Sequence, residues 1–338
     1  MRSSPSIVIE LQPRPDTFDQ TDMKLLWFYT TATCSCFSLQ SGKQRPVEDI
    51  MRTLVVRHAF ETPFLMHSLF ALASLHLQSL GQSINPQRAL SYRAKSFAGY
   101  RRAVQEAKPE TFPALLANSL LLTVLSTQGF REPDGKCLYI IEWMLLWQGI
   151  GLVAGLVDVS SIPSAGLEPL FHRPAIDMEA AAAAAAAAAI PDHLVTMVLS
   201  MEPDDADFLE TQTYLVTLQH LGSLYYNLRK GLGAIMTLRI ITWLTYLPRR
   251  FVELVRSRRP RALVIMVHYA AFLKVVAGIW WMAGVGDRSI RDILDYLGHE
   301  WRQHVEMPLR AMDFDDATEL ARVISGDFLP SPACYSML

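Results

Sequence analysis

Cysteine is scarce in this 338-residue chain: Cys34, Cys36, Cys137 and Cys334 are too few and too scattered for a disulfide scaffold. Two of them, in Cys34-Ser35-Cys36, sit in an apolar aromatic stretch and read as small buried hydrophobes. A reducing, intracellular compartment is therefore expected. An excess of one charge is also missing. Lys and Arg number 31 against 33 Asp and Glu, a formal net charge of −2. That balance supplies no general attraction to nucleic acid or to anionic membranes, so direct DNA binding by this chain is not expected. No glycine-rich phosphate loop and no nucleophile elbow occurs, which removes nucleotide-binding and hydrolase readings. The opening MRSSPSIVIELQPRPD lacks the unbroken apolar core of a signal peptide.

Apolar residues are abundant. They make up 51% of the chain against 19% charged, enough to bury a large core. Leu138–Val157 and Ala262–Gly284 are long enough to span a bilayer. Glu142 and Gln148 interrupt the first, and His268 and Lys274 the second, which lipid penalises. Core helices, with no membrane span, are the expectation.

Helical periodicity dominates and strand signals are sparse, so the fold class is all-α, with roughly ten helices in one domain and one central low-complexity insertion. Asp19 and Asp22 are candidate N-caps for a helix over Met23–Leu39, and Pro63 suits the first turn of the next. Asn85–Lys108 is amphipathic, with Arg88, Arg93, Lys95, Arg101 and Arg102 on its wet face. Leu115–Gln128 and Tyr139–Val157 follow, divided by the turn residues REPDGK. Later helices are expected over Asp204–Lys230, Ile235–Leu247, Arg261–Gly284, Ser289–Gln303 and Asp315–Ile324. Residues 158–193 break the pattern and contain ten consecutive alanines, Ala180–Ala189. A pure alanine run has no face to bury, so it reads as a surface insertion. The organisation is thus a flexible segment over 1–21, a domain over 22–325 and a tail over 326–338.

Particular segments carry a family likeness. Lys24–Phe37 (KLLWFYTTATCSCF), Phe60–Leu77 (FETPFLMHSLFALASLHL), the Trp-rich Trp143–Gly151, and Trp280, Trp281 and Trp301 follow one another in a familiar order. In that order and spacing the chain resembles the C-terminal regulatory domain of fungal zinc-cluster transcription regulators of the sterol-uptake-control type. The likeness runs from about Asp22 to Met312. It implies an all-α ligand-binding domain with a deep apolar pocket, controlling transcription in the nucleus, with a homodimer or a second regulator as further partner. Such regulators carry a six-cysteine, two-zinc DNA-binding head. Nothing of the kind precedes Met23, and a chain without that head is the expectation.

On this reading an apolar small molecule of sterol, terpene or polyketide type is the partner. Phe64, His67 and Phe70 are its candidate contacts from one segment. His268, Phe272, Lys274, Trp280 and Trp281 are those from another. Lys274 interrupts an otherwise apolar stretch, so it either snorkels to a boundary or anchors an anionic ligand group. No cofactor is expected.

An enzymatic alternative uses the same cavity. Asp204 and Asp205 in PDDADFLE, and Asp315, Asp316 and Glu319 in DDATE, imitate the magnesium-binding acids of terpene cyclases. With Lys274 as the catalytic group they would assist departure of diphosphate from a substrate such as farnesyl diphosphate, in a cytoplasmic protein. Both acidic clusters also open predicted helices, where carboxylates stabilise the positive end of the dipole. The histidines His58, His67 and His76 are spaced by nine and fall on different helix faces, not in a metal-binding pair. Arg249, Arg250, Arg256, Arg258, Arg259 and Arg261 form a basic stretch with three readings: an exposed inter-helix turn, a nuclear-import signal or an anion-binding patch. Asp292, Asp295 and His299 share a face within reach of Arg288, Arg291 and Arg302 and read as a charged rim.

Overall fold

The computed structural model describes residues 19–37, 47–82, 84–156, 166–171, 173–174 and 180–326. Most of the segment expected to be flexible (1–18), the first part of the expected insertion and the tail from 327 lie outside the described residues. Every regular element among the described residues is helical. None of these helices is long and apolar enough to cross a membrane. The chain divides into two compact units. One takes in most of the described residues up to Leu122 together with 166–170, and the other takes in 123–155 and those from Phe171 onward.

The first unit begins with helix α1 (Gln20–Phe28), whose N-cap Asp19 accepts from the backbone of Thr21 and Asp22 while Asp22 returns the bond. This reciprocal box satisfies amides that the first turn would leave open. The chain then widens into a π-helical turn and tightens into a 3-10 turn to Phe37, so the long helix expected over Met23–Leu39 is in three pieces. Helix α2 (Val55–Glu61) follows a π-helical turn and stops at Thr62, whose extended backbone resets direction for Pro63. Helix α3 (Pro63–Ser79) is buried on most of its circumference, as its continuous apolar sequence requires. Helix α4 (Pro86–Glu106) starts behind an Asn85 cap and buries only one face, through Tyr92, Ser96 and Ala103. It packs along α3, with Ser96 and Ser68 hydroxyls bonded to each other. Helix α5 (Phe112–Leu125) is mostly apolar, with Asn118, Ser119 and Thr123 as its polar residues, and the division between the units falls within it.

The second unit holds α6 (Tyr139–Leu156, nearly all of it), where Trp143 is fully buried and its indole donates to Thr123 O at 2.9 Å. Ala180–Ala188 is a helix, α7, followed by α8 (Asp192–Leu199) and α9 (Thr211–Leu228). The alanine run is not a loose surface insertion. It lies against α9, with Ala186 and Ala189 buried. The contact is set by Gly222, where a Cβ would come within 2.4 Å of Ala186 O and 2.6 Å of the Ile190 side chain. Two helices without side chains at the contact approach backbone to backbone, an option the sequence pattern does not reveal.

Helix α10 (Ala234–Thr242) leads to α11 (Arg249–Arg256), which buries Phe251, Val252, Leu254 and Val255. Part of the basic stretch is therefore an amphipathic helix, not an inter-helix turn. Helix α12 (Pro260–Val275) is the core of this unit, and every residue from Ala262 to Val275 is buried. It ends at Val275, well before Gly284, so Trp280 and Trp281 lie on turns. Helices α13 (Val285–Tyr296), α14 (Glu306–Ala311) and α15 (Ala317–Ser325) pack against α12.

Candidate functional site

The predicted ligand contacts fall in both units. In the first, Phe64, His67 and Phe70 meet rings of α4. Phe70 lies 5.2 Å and His67 6.4 Å from the Tyr92 ring, and Phe64 packs edge-on against Tyr100 at 6.1 Å. Tyr92 is anchored by Asp22, to which its hydroxyl donates, and by Arg88. Burial pushes the Tyr92 phenol up to about 12. Arg88 also holds Asp19 at 2.6 Å, and this bond brings the Asp19 carboxyl down to about 2. Those rings and ions satisfy one another. Three side chains of this unit have a buried polar atom outside that network, His58 through Nε2 among them. Asn118, on the apolar α5, is fully buried, and neither its amide oxygen nor its amide nitrogen has a hydrogen-bond partner. Ser74 Oγ, on α3, is likewise buried without one. Buried polar atoms are almost always bonded, so a fully unbonded amide requires a reason.

In the second unit, α12 carries His268, Phe272 and Lys274. His268 Nε2 donates to His304 O at 2.8 Å, and Nδ1 accepts from the Tyr225 hydroxyl at 2.8 Å. Both ring nitrogens are used, so the imidazole is neutral in a fixed tautomer. Burial lowers its pKa to about 3. Phe272 packs edge-on against the same Tyr225 at 5.0 Å. The Lys274 ammonium has partners within the protein. Its Nζ lies 2.8 Å from Asp287 and donates to Met312 O at 3.2 Å, with the exposed Asp315 at 3.5 Å. Gly286 makes this possible, because a Cβ there would come within 2.5 Å of Lys274 N. Trp281 is buried, whereas Trp280 is half-buried and its carbonyl accepts from Arg131 at 2.6 Å.

The two acidic clusters are occupied. Arg261 grips Asp205 with both terminal nitrogens, at 3.0 and 2.6 Å. Asp207 accepts from Tyr214 at 3.0 Å and lies 3.4 Å from Arg259. Glu210 pairs with Arg250 at 2.5 Å. The PDDADFLE acids and the basic stretch thus neutralise each other across a separation of 40 to 56 residues. Asp204 stays exposed. Asp316 caps α15, accepting from the backbone of Thr318 and Glu319, which is the dipole reading of that cluster. Among the described residues no group of three or more His, Cys, Asp or Glu side chains is placed to hold a metal ion. Arg288 does pair with Asp292, at 2.7 Å, as the charged rim requires.

Comparison with known proteins falls on one side. Residues 24–131 match the family described as "Fungal specific transcription factor domain". The matched segment runs from within α1 to just past α5 and includes Phe64, His67, Phe70, Ser74 and Asn118, while Lys274 and the acidic clusters lie beyond it. A relative from Gibberella zeae, "Zn(2)-C6 fungal-type transcription factor", is 23% identical over 88% of this chain and 63% of its own length. "Sterol uptake control protein 2" of Candida albicans is 23% identical over 90% of this chain and 45% of its own. The protein of the same name from Saccharomyces cerevisiae is 25% identical over 82% and 30%. The chain therefore spans between 30% and 63% of the length of these relatives.

Within the matched segment, sequence reasoning passed over Asn118 and Ser74. A lone Asn in FPALLANSLLLTVL is the available signal, since an amide in so apolar a helix needs a partner. It also missed Asp287 as the partner of Lys274. The signal there is Gly286, directly before the acid.

Proposed function

We propose that this chain is the regulatory part of a fungal transcriptional regulator, acting in the nucleus, with an apolar small molecule carrying one hydroxyl or carbonyl group as its effector. Sterols, terpenes and polyketides are the ligand classes. The family match supports the regulator, and the unbonded amide of Asn118 supports the ligand: it offers a donor and an acceptor inside an apolar helix packing, and an oxygen on a hydrophobic molecule would satisfy either. Binding changes transcription only if the active and inactive states hold the effector with different affinity. The cyclase alternative draws no support, because Lys274, Asp205 and Asp316 each serve an internal partner.

A thermal-shift screen of sterols, terpenoid alcohols and polyketides tests the proposal. A true effector at a hundredfold excess over its Kd adds about 2.7 kcal/mol of stability. Asn118→Leu is expected to keep or raise the stability of the free protein, since it removes an unsatisfied amide worth about 1–3 kcal/mol, and to abolish the ligand-induced shift. A shift that survives intact in Asn118→Leu would remove this residue from the site. A protein that no member of these classes stabilises would overturn the reading.

A further inference from the structure

The geometry points to a second ligand site in the second unit: we propose that an open pocket at the junction of α11 and α12 binds a phosphomonoester of nucleotide or sugar-phosphate size. The pocket has a volume of about 490 Å³ and is lined by Arg250, Arg258, Arg259, Ser257, Glu253 and Tyr296, among others. Three arginines and one acid, Glu253, are thus among its lining residues. The arginines are not equivalent. Arg250 is held by Glu210 at 2.5 Å and Glu253 at 2.7 Å, and Arg259 stands 3.4 Å from Asp207. These two are fixed in place by their acids. Arg258 has no carboxylate partner among the described residues; its guanidinium lies 5.7 Å from the centre of the half-exposed Tyr296 ring. It carries the uncompensated charge.

The backbone at Arg258 adds an observation of a different kind. Helix α11 ends with Arg258 N bonded to Val255 O at 2.9 Å and Arg259 N bonded to Leu254 O at 3.0 Å, with φ +53° at Arg258. That position favours glycine, yet an arginine fills it and projects over the pocket wall. Helix α12 starts in the same wall at Pro260, with no side chain capping its first amides.

The ligand class follows from charge, fork geometry and size. Planar guanidiniums bind phosphate oxygens in pairs, which an ammonium cannot do. The volume lies within the range of small-molecule sites and is too large for one inorganic anion. The Tyr296 ring, 46% exposed, offers an apolar face for the body to which the phosphate is attached. A ribose or base fits that description.

Calorimetric titration of the full chain with adenosine 5′-monophosphate, ribose 5-phosphate, adenosine and inorganic phosphate decides the matter. The phosphomonoesters should bind, more weakly as salt rises, with adenosine and inorganic phosphate each weaker by about tenfold or more. Arg258→Gly should weaken phosphomonoester binding by about tenfold while leaving the melting temperature unchanged or higher, because glycine accepts the left-handed backbone. Glu253→Gln, which removes the opposing carboxylate, should tighten binding, a gain that a purely structural role would not produce. Equal affinity for adenosine, inorganic phosphate binding as tightly as the esters, or indifference to Arg258→Gly would each overturn the proposal. So would binding of a phosphopeptide or of duplex DNA in place of the small esters.

Discussion

At the scale of single residues, burial decides which groups keep their charge. His268 has its ordinary pKa near 6.5 in the unfolded chain and about 3 in the folded one, because the folded site is dry. Its contribution to stability is complete above the unfolded value and is lost as pH falls from there toward the folded one. The native state alone refuses the proton in that window, at about 1.4 kcal/mol per pH unit. Denaturation measured between pH 6.5 and 4 should therefore show a shallower acid slope in His268→Gln than in the parent chain. Equal slopes would mean that another histidine carries the effect; His67, His193 and His304 are also depressed by burial. Lys274 is also buried, and its Nζ lies 2.8 Å from Asp287. Its apolar sequence context predicts that methionine there is harmless. The ion pair reverses this: Lys274→Met should destabilise by about 1–3 kcal/mol, and adding Asp287→Asn should recover part of the loss. A neutral single variant in chemical denaturation would show the pair to be idle. The apolar neighbours of Lys274 were legible in the sequence. Its partner was not, because Asp287 sits in the next helix and no periodicity links helices.

At the scale of elements, stop and start signals were readable wherever a local hydrogen bond or ring sets them. Asp19, Pro63 and Asn85 stand at the helix starts they predicted. Elements held by their neighbours were less legible. In RRFVELVR the charges masked a strong apolar stripe, and the alanine run has no stripe at all. Its partner surface is Gly222, and that supplies a test. Gly222→Ala forces a methyl group into the Ala186 carbonyl and should cost about 1–3 kcal/mol by overpacking. Gly149→Ala, in α6 with open space at the new Cβ, should be neutral or stabilise by up to about 1 kcal/mol. Thermal melts of the two variants check the contrast. Equal effects would mean that the alanine helix is not docked.

At the scale of the whole molecule, the near balance of charge described above persists in the fold as pairs between distant segments. The arginines that would have formed a basic stripe are spent on Asp205, Asp207 and Glu210, although Arg258 remains without such an acid. These 338 residues should accordingly show only weak, salt-sensitive, sequence-independent association with DNA in an anisotropy titration. Nanomolar binding to one sequence and not to others would contradict that. The all-α class was legible from end to end in the sequence. The division into two units was not, because the boundary falls inside an unbroken apolar helix that periodicity treats as one element.

The alanine helix has a consequence for how this gene product tolerates change. Inside a homopolymer every residue is interchangeable, so nothing in Ala180–Ala189 itself dictates which alanine must face Gly222. Phase is set from the downstream end, where Ile190 abuts Gly222 and Pro191 opens α8. Adding or deleting an alanine therefore leaves an identical surface in the docked position. The mismatch, about 100° of rotation and 1.5 Å of rise per residue, is passed upstream. Tract length can drift between otherwise identical chains without disturbing the groove it fills, whereas one larger side chain at Ala186 or Ala189 cannot be absorbed in the same way.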